Sequence, residues 1–299
     1  MRLEQLIDAL RRRAAYPWLD PGDGAVEVIQ THISAVFLVD REVFKIHKPV
    51  DFGFLDFTEL DARRDDCEAE VEVNAELAPG VYRGLAAVVR RGDQLVVERD
   101  PAIYQRDEVV EWAVWMRRLP ESATFRSLLS RHELGRPQLW ALAGTLANFY
   151  RDGAERAAAH PELARLGDLE TVTENVRENF AQLDAIDDEA RAAGQSPPID
   201  RDLLMRLRDA TEAELGRLRE LIHARWEAGK IRDTHGDLRL DHVYALGSAT
   251  AADAELIDDE LLAAVGRREL LIIDRIEFND RFRWADPISD VAFLLMDLQ

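Results

Sequence analysis

The sequence contains little that would indicate an extracellular or membrane protein. Its single cysteine, Cys67, excludes an internal disulfide framework and suits a reducing compartment. No apolar run reaches the roughly 18 residues that a membrane span needs. Residues 1–20 have the pattern of an amphipathic helix and lack the unbroken apolar stretch and cleavage site of a signal peptide. We therefore expect a cytoplasmic protein with no membrane partner.

Positive charge is also scarce. The chain has 38 Lys and Arg against 58 Asp and Glu, a formal net charge of −20. Because a nucleic-acid surface needs a basic face to meet the phosphate backbone, we expect no nucleic-acid partner. The acidic balance is compatible with cationic small substrates, but it is typical of any well-solvated surface. With 47% apolar residues, a chain of 299 residues can bury a sizeable core.

The first third of the sequence has the pattern of β-strands. The predicted strands are 25–30, the two halves of 35–49, 85–90, 92–99 and 108–120. Asp40-Arg41 divides the second run into a hairpin. A helix over roughly 60–78 follows the third strand and stops before Pro79-Gly80, a strong stop signal. Residues 1–115 are therefore predicted to form a mostly antiparallel sheet with one inserted helix.

After Pro120 the pattern changes to helices. The predicted helices are 122–134, 135–157, 201–228 and 286–299. Gly229 is the predicted C-cap of the third of these helices, and 269–278 is a predicted short strand. The last helix reaches Gln299 without a stop signal, so we expect the sequence to be part of a longer protein. The fold class is therefore α+β, a small β-rich part followed by a larger, mainly helical one.

A lysine in the third strand is the first residue with chemical potential. Phosphoryl transfer from ATP needs a lysine on the phosphates, a carboxylate to hold it, a base for the acceptor hydroxyl and acidic groups for Mg²⁺. Lys45 lies among apolar strand residues, where a charge is costly unless it is paired. Lys48 is the alternative, and on a strand it would face the opposite side. We favour Lys45 because it lies within the strand, although a surface lysine is the simpler explanation of this residue alone.

The helix after the third strand offers the carboxylate. Glu70 shares a helix face with Val73 and Leu77, and that face could pack on the sheet and bring Glu70 to Lys45. Glu68 is the second choice. Acids on a helix are most often solvated, so this prediction depends on the other residues of the set.

The stretch "DTHGDLRLDHVY", residues 233–244, contains two histidines and three aspartates. Asp237 is the candidate general base. His242, five residues later, occupies the position at which kinase-type loops place a metal-binding asparagine. Asp274 stands at the end of the later predicted strand, where it is well placed to hold Mg²⁺ on ATP. A strand lysine, a helix glutamate and these two acidic motifs, in that order, indicate phosphoryl transfer.

These motifs resemble those of aminoglycoside phosphotransferase-like kinases. "HGDLRLDHV" is similar to their "HGDLHxxN" loop, and "IIDRIEF…ADPISDVAFL" is similar to "IDWE…GDPAYDLA". Other pieces, among them "THISAVFLVDREVFKIHKPVDFGFLDFTEL" and "CEAEVEVNAELAP", resemble a bacterial subgroup that is sometimes fused to a P-loop ATPase domain. The resemblance covers roughly residues 25–299.

The resemblance implies a two-lobed protein-kinase-like fold with ATP bound between the lobes. The small antiparallel β lobe with one helix would be 1–115, and the larger, mainly helical lobe would be 116–299. The adenine would meet backbone groups of the connector between them. The resemblance places Met116, Arg117 and Leu119 in this connector.

The resemblance also implies roles within the site. The four residues selected above keep their roles: Lys45, Glu70, Asp237 and Asp274. "THIS" (31–34) lies at the position of the phosphate-covering turn and contains no glycine, so Thr31 and Ser34 would contact the phosphates. His235 would be a structural member of the loop, and Asp290 would brace it.

His242 is the departure from the family pattern, because it replaces the metal-binding asparagine. Neutral imidazole is a poor ligand for Mg²⁺, so His242 could bind a softer ion such as Mn²⁺, bond to the loop or mark lost catalysis. Two functions follow: an ATP-dependent kinase acting on a small molecule with a hydroxyl group, or a nucleotide-binding pseudokinase. The acceptor is not indicated by these motifs.

A metallohydrolase is the third interpretation, since imidazole and carboxylate together suit zinc. Its ligands would be His235, Asp237, Asp241 and His242. The remaining histidines, His47 among them, are scattered without ligand spacing, so no second cluster completes such a site in the sequence.

Overall fold

A computed structural model describes residues 2–20, 25–104 and 108–299 of the chain. The described residues form an α+β structure with an antiparallel sheet and many helices, as the sequence predicts. Met1, which the predicted N-terminal helix includes, lies outside the described residues. Among those described, no helix is both long enough and apolar enough to cross a membrane.

The main sheet has six strands, all paired antiparallel in the order β1-β2-β3-β6-β4-β5. The strands are β1 (Glu27–Gln30), β2 (Ser34–Val39), β3 (Glu42–His47), β4 (Tyr82–Arg91), β5 (Gln94–Glu98) and β6 (Glu108–Arg117). Every predicted strand of the first third is therefore confirmed. The predicted hairpin joins β2 and β3, with Asp40 in the left-handed region at φ +50°.

The helices of the described residues lie mostly after the sheet. They are α1 (Leu3–Leu10), α2 (Leu60–Asn74), α3 (Pro101–Tyr104), α4 (Phe125–Ser130), α5 (Arg136–Ala159), α6 (Pro161–Ala164), α7 (Leu169–Ala192), α8 (Arg201–Glu227), α9 (Asp259–Val265), α10 (Asp280–Arg283) and α11 (Ile288–Asp297). The described residues also form two-residue strands: β7 (Arg232–Asp233), β8 (Val243–Tyr244), β9 (Leu271–Ile272) and β10 (Trp284–Ala285).

The alternation of side chains along β3 sends its residues to two different cores. Phe44 and Ile46 pack with α1 in a core on one face of the sheet. Lys45 and His47 point to the other face, where Cys67 of α2 packs against apolar residues of the central strands. One short strand therefore supplies both an apolar wall and two polar side chains that face α2.

An ion pair fixes α2 to the sheet. Arg63 of α2 donates from Nε to both carboxylate oxygens of Glu111 on β6, at 2.9 and 3.0 Å. Its Nη1 donates to the carbonyl oxygen of Phe57 at 2.6 Å. The helix ends at Asn74, four residues earlier than the sequence predicts, and Gly80 then turns the chain with φ +77°.

The chain divides into two compact units. The first comprises Met1–Leu146, Asp237–Asn279 and Phe293–Gln299, and it contains the main sheet. The second comprises Ala147–Gly236 and Asp280–Ala292. A division into lobes at residues 115 and 116 stays a prediction.

The predicted strand over 269–278 is much shorter in the structure. Only Leu271–Ile272 is extended and paired, as β9 against β8. The strand cannot continue because Asp274 takes a left-handed backbone conformation, φ +61°, which bends the chain. Asp274 is therefore a turn residue two positions beyond the strand and not its last residue.

Candidate functional site

Lys45 lies between two carboxylates in the first unit. Its Nζ donates to Glu70 Oε1 at 3.0 Å and to Asp274 Oδ1 at 3.2 Å. The side chain of Lys45 is 13% exposed, that of Glu70 1% and that of Asp274 47%. Three residues that the sequence selected from a strand, a helix and a distant loop therefore meet at one ammonium group.

The burial of this ion pair shifts the pKa values of its members. Burial alone would lower the pKa of Lys45, but Asp274 and Glu70 raise it well above the ordinary value. Burial raises the pKa of Glu70, and Lys45 opposes that rise. Lys45 is therefore charged at any physiological pH, as a lysine that binds phosphate must be.

The end of α2 positions the Asp274 turn. The Oδ1 of Asn74 accepts from the backbone N–H of Arg275 at 2.9 Å, and its Nδ2 donates to the carbonyl of Glu70 at 2.9 Å. The backbone N–H of Asp274 donates to Tyr82 Oη on β4 at 3.1 Å. Helix and strand thus hold the turn from two sides, and Asp274 keeps its unusual φ.

His242 joins the two acidic motifs. Its Nδ1 lies 2.8 Å from the carbonyl oxygen of Asp237, and because a carbonyl oxygen can only accept, Nδ1 is the donor. Its Nε2 then faces Asp274 Oδ2 at 3.5 Å. A backbone bond from Ile273 N to the carbonyl of His242, 3.0 Å, ties the two segments together. The imidazole is therefore oriented by the loop and directed at the carboxylate.

Asp237, the predicted base, is partly buried in the same unit. Burial raises the pKa of its carboxyl, with His242 and Arg239 opposing the rise. A carboxylate whose pKa is moved toward neutral pH is a better proton acceptor than an ordinary aspartate.

The two residues before Asp237 are held by Asp290, within the second unit. The backbone N–H groups of His235 and Gly236 donate to the two carboxylate oxygens of Asp290, each at 2.9 Å. Tyr150 Oη donates to the same carboxylate at 2.7 Å. His235 and Asp290 are both 0% exposed. These contacts are those expected of a structural histidine and a bracing aspartate.

The predicted phosphate-covering turn is internally bonded. The Oγ1 of Thr31 accepts from the backbone N–H of Ser34 at 3.0 Å, and the Thr31 N–H donates to the Ser34 carbonyl at 3.0 Å. Ser34 is 2% exposed. The polar groups that the resemblance assigns to phosphate are thus turned toward the protein, and their contact with phosphate stays a prediction.

The predicted adenine connector lies at the end of β6. Met116 and Arg117 are its last residues, and Leu119 packs against a core formed around α9. The guanidinium of Arg117 is buried and donates to Asp258 at 2.5 Å and to Glu260 at 2.7 Å. The side chain of Arg117 thus has a structural role, and adenine binding by this segment stays a prediction.

The alternatives for the lysine and the glutamate lie elsewhere. Lys48 Nζ donates to the carbonyl oxygen of Thr31 at 2.6 Å. Glu68 pairs with Arg64 on the outside of α2, where both side chains are about half exposed. The Glu68 pair lacks the burial of the Lys45–Glu70 pair, whose side chains are 13% and 1% exposed.

His47 corrects the expectation that the remaining histidines are scattered. It lies with Asp66 and Glu277, and their ligand atoms are all within 4.8 Å of one another. The sequence did contain a signal for this group. Lys45 and His47 are two positions apart and therefore lie on the same face of β3. Asp66 and Glu70 are one turn apart on α2.

The four residues of the zinc-hydrolase interpretation form no comparable group. Within residues 2–20, 25–104 and 108–299, the ligand atoms of His47, Asp66 and Glu277 cluster within 4.8 Å of one another, whereas those of these four residues do not. Asp241 is bonded instead to Arg126, at 3.3 Å. The structure therefore does not favour that interpretation.

Comparisons with known proteins find similar sequences but assign no function to the chain. No family model matches the chain, and no solved structure matches it with significance. Uncharacterized proteins of Mycobacterium bovis and of two strains of Mycobacterium tuberculosis are each 27% identical over 274 residues. The alignment covers 92% of this chain and 46% of each relative, so the chain spans about half the length of the curated relatives it matches.

Proposed function

We propose that this chain is an ATP-dependent phosphotransferase with a protein-kinase-like fold, which transfers the γ-phosphoryl group to a hydroxyl of a small molecule. The observation that carries the proposal is the position of Lys45 Nζ, 3.0 Å from Glu70 and 3.2 Å from Asp274. Phosphoryl transfer needs a phosphate-binding lysine, a glutamate that holds it and an acid that binds the metal. The resemblance of the loop at 233–244 to phosphotransferase loops supports the same function.

Lys45 and Glu70 would act through charge. The ammonium of Lys45 would contact phosphate oxygens and offset the charge that develops on them during transfer. Glu70 is buried and bonded through only one carboxylate oxygen to Lys45, so it would keep the ammonium in place as the phosphates arrive. Asp274, more exposed, is the partner that would exchange Lys45 for a bound cation.

Asp237 would handle the proton of the acceptor. The hydroxyl oxygen forms a bond to the γ-phosphorus, the bond from that phosphorus to the bridging oxygen breaks, and ADP leaves. The hydroxyl proton passes to the Asp237 carboxylate, whose pKa is raised by burial. Most of the rate would come from holding the two reactants in line.

Asp274 and His242 fit a divalent cation by their donor chemistry. Asp274 offers the carboxylate oxygen that Mg²⁺ prefers, and it is 47% exposed. His242 offers an imidazole Nε2 3.5 Å from that carboxylate, a donor that suits Mn²⁺ better than Mg²⁺. Such a cation would offset the charge of the β- and γ-phosphates when bound.

ATP turnover with a panel of hydroxyl acceptors tests the proposal. The panel contains sugars, aminoglycosides and amino alcohols, each with Mg²⁺ and with Mn²⁺. We expect Asp237→Asn to lower kcat by at least about 100-fold and to leave ATP binding unchanged, because the carboxylate acts on the acceptor. ATP binding without turnover of any acceptor would contradict the proposal, as would an Asp237→Asn variant with normal kcat.

Matched variants separate specific effects from loss of structure. Lys45→Met is expected to weaken ATP binding or transfer, and Lys48→Met is its control on the same segment. Glu70→Gln is expected to lower transfer, and Glu68→Gln is its control on the same helix. Equal effects within either pair would remove the special role of Lys45 and Glu70.

A nucleotide-binding pseudokinase is the second candidate. It is favoured by His242, which stands where the resemblance places a metal-binding asparagine and whose Nε2 lies 3.5 Å from Asp274 Oδ2. This candidate predicts ATP binding without transfer, and a sharp gain of activity in His242→Asn. Robust transfer by the unmodified chain would exclude it.

A further inference from the structure

A second group of metal-ligand side chains lies beside the Lys45–Glu70 pair. His47 Nε2 is 3.3 Å from Asp66 Oδ2 and 3.7 Å from Glu70 Oε2. Glu277 completes the group, with its ligand atom within 4.8 Å of those of His47 and Asp66. The exposure of His47 is 1% and that of Asp66 is 8%. The group is therefore built from β3, α2 and the segment after Asp274, with His47 and Asp66 buried and Glu277 half-buried.

Several polar atoms of this group are buried without a partner. In the part of the chain that the structure describes, neither ring nitrogen of His47 has a hydrogen-bond partner. The same holds for Asp66 Oδ2 and Glu70 Oε2. Buried polar atoms are nearly always hydrogen-bonded in folded proteins. Three of these atoms lie together, with His47 Nε2 3.3 Å from Asp66 Oδ2 and 3.7 Å from Glu70 Oε2, and they indicate a ligand that one ring nitrogen and two carboxylates could share.

The group also contains more carboxyl groups than one lysine can pair with. Lys45 already bonds Glu70 and Asp274, while Asp66 and Glu277 add two more acids. Burial, reinforced by Glu70, raises the pKa of Asp66 to about 7 and that of Glu277 well above its ordinary value, so a cation that binds here must displace protons from these acids. Ionised carboxylates packed this closely are stable only with positive charge between them.

The state of His47 suits a metal ligand. Burial and the nearby charge of Lys45 lower the pKa of His47 to about 3. The ring is therefore neutral at physiological pH, and a lone pair remains on one nitrogen. Neutral imidazole is the form in which histidine binds metal ions.

We propose that His47, Asp66 and Glu277 bind one divalent transition-metal ion, with Glu70 Oε2 as a fourth donor. Imidazole together with carboxylates suits Zn²⁺, Mn²⁺ or Fe²⁺ better than Mg²⁺ or Ca²⁺. The 3.3 Å between His47 Nε2 and Asp66 Oδ2 equals the edge of a tetrahedral site with bonds of about 2.0–2.1 Å. The ion would link β3 to α2 and the following segment, and this site does not depend on phosphotransfer.

Metal titration of the chelator-treated, nucleotide-free chain tests this site. Zn²⁺, Mn²⁺ and Mg²⁺ are added separately, and affinity, stoichiometry and melting temperature are measured. We expect one equivalent of Zn²⁺ or Mn²⁺, weaker Mg²⁺ binding and a melting temperature that rises with the metal. Co²⁺ in place of Zn²⁺ should give an absorption spectrum typical of a nitrogen ligand.

Three variants and a control locate the ion. His47→Phe and Glu277→Gln should each lower the metal affinity by at least about 100-fold. Loss of a group that only supports a metal ligand can already lower the affinity by that factor. His47→Phe keeps a ring against Phe57, whose ring centroid lies 4.8 Å from that of His47, and Glu277→Gln provides a second test should that variant misfold. Asp65→Asn, an exposed acid next to Asp66, is the control and should bind as the unmodified chain does. Asp274→Asn should also retain the ion, which separates this site from the cation of phosphotransfer.

Two results would overturn the proposal. One is a chain that binds neither Zn²⁺ nor Mn²⁺ and whose melting temperature depends on pH alone, since a proton shared by Asp66 and Glu277 would then satisfy the group. The other is equal metal affinity in the unmodified chain, His47→Phe and Glu277→Gln, which would place the metal elsewhere.

Discussion

The ion pair that fixes α2 to the sheet provides a quantitative test of the site architecture. The side chains of Arg63 and Glu111 are 8% and 4% exposed. Glu111→Gln keeps the volume of the side chain and removes its charge, so no cavity forms. Removing one member of a buried pair costs about 3–5 kcal/mol because the other charge stays buried. Arg63 keeps the carbonyl oxygens of Phe57 and Thr58 as acceptors, so we expect the lower value, about 3 kcal/mol.

Urea and thermal unfolding measure this loss of stability. A loss of about 3 kcal/mol lowers the melting temperature by roughly 6 °C in a chain of this size. The control is Glu68→Gln on the same helix, which breaks an exposed pair with Arg64. An exposed pair of this kind contributes about 0.3–0.5 kcal/mol.

A double-mutant cycle with Arg63→Met completes the test. Because each single variant leaves one group unsatisfied, the double variant should lose less stability than the sum of the two, by about 0.5–3 kcal/mol. If Glu111→Gln were no less stable than Glu68→Gln, or if the two changes were additive, the buried pair would not be what holds α2 to the sheet.

Two other perturbations test other parts of the first unit. His47 stays neutral in the folded chain down to a pKa of about 3, whereas an unfolded histidine binds a proton below about 6.5. Its contribution to stability is therefore present above pH 6.5 and is lost as the pH falls toward 3. In the presence of chelator, the unmodified chain should therefore lose about 1.4 kcal/mol more unfolding free energy than His47→Phe for each pH unit below 6. Asp66 and Glu277 face His47, and their raised pKa values act in the opposite direction. Both acids are present in both proteins. A difference in unfolding free energy that does not change with pH would therefore contradict the lowered pKa of His47. Gly80→Ala would bring its Cβ to 2.5 Å from Ala264 Cβ at φ +77° and should cost about 1–3 kcal/mol. Gly92→Ala, at φ +62° with open space around it, should cost only about 1 kcal/mol, and equal melting temperatures for the two would show that Gly80 is not tightly packed.

Local patterns in the sequence were enough for most elements of the first unit. The apolar alternation that predicts β2 and β3 depends on neighbours two residues apart, and Asp40-Arg41 marks the hairpin between them. The end of α2 and the length of β9 could not be predicted in this way. The helix stops at Asn74 because its side chain bonds the backbone of Arg275, a partner 201 residues away. Strand β9 stops because Asp274 turns to meet Lys45 and Tyr82.

The sequence by itself determined which residues could carry charge chemistry: a lysine inside an apolar strand, acids on one helix face and an acidic loop. It also determined that Lys45 and His47 share a face of β3, since strand alternation is local. Only the tertiary structure decided that Lys45 meets Glu70 and Asp274, and that His47 meets Asp66 and Glu277. Those contacts join residues up to 230 positions apart. Their distances depend on how β3, α2 and the late turn pack together, which no short-range pattern records.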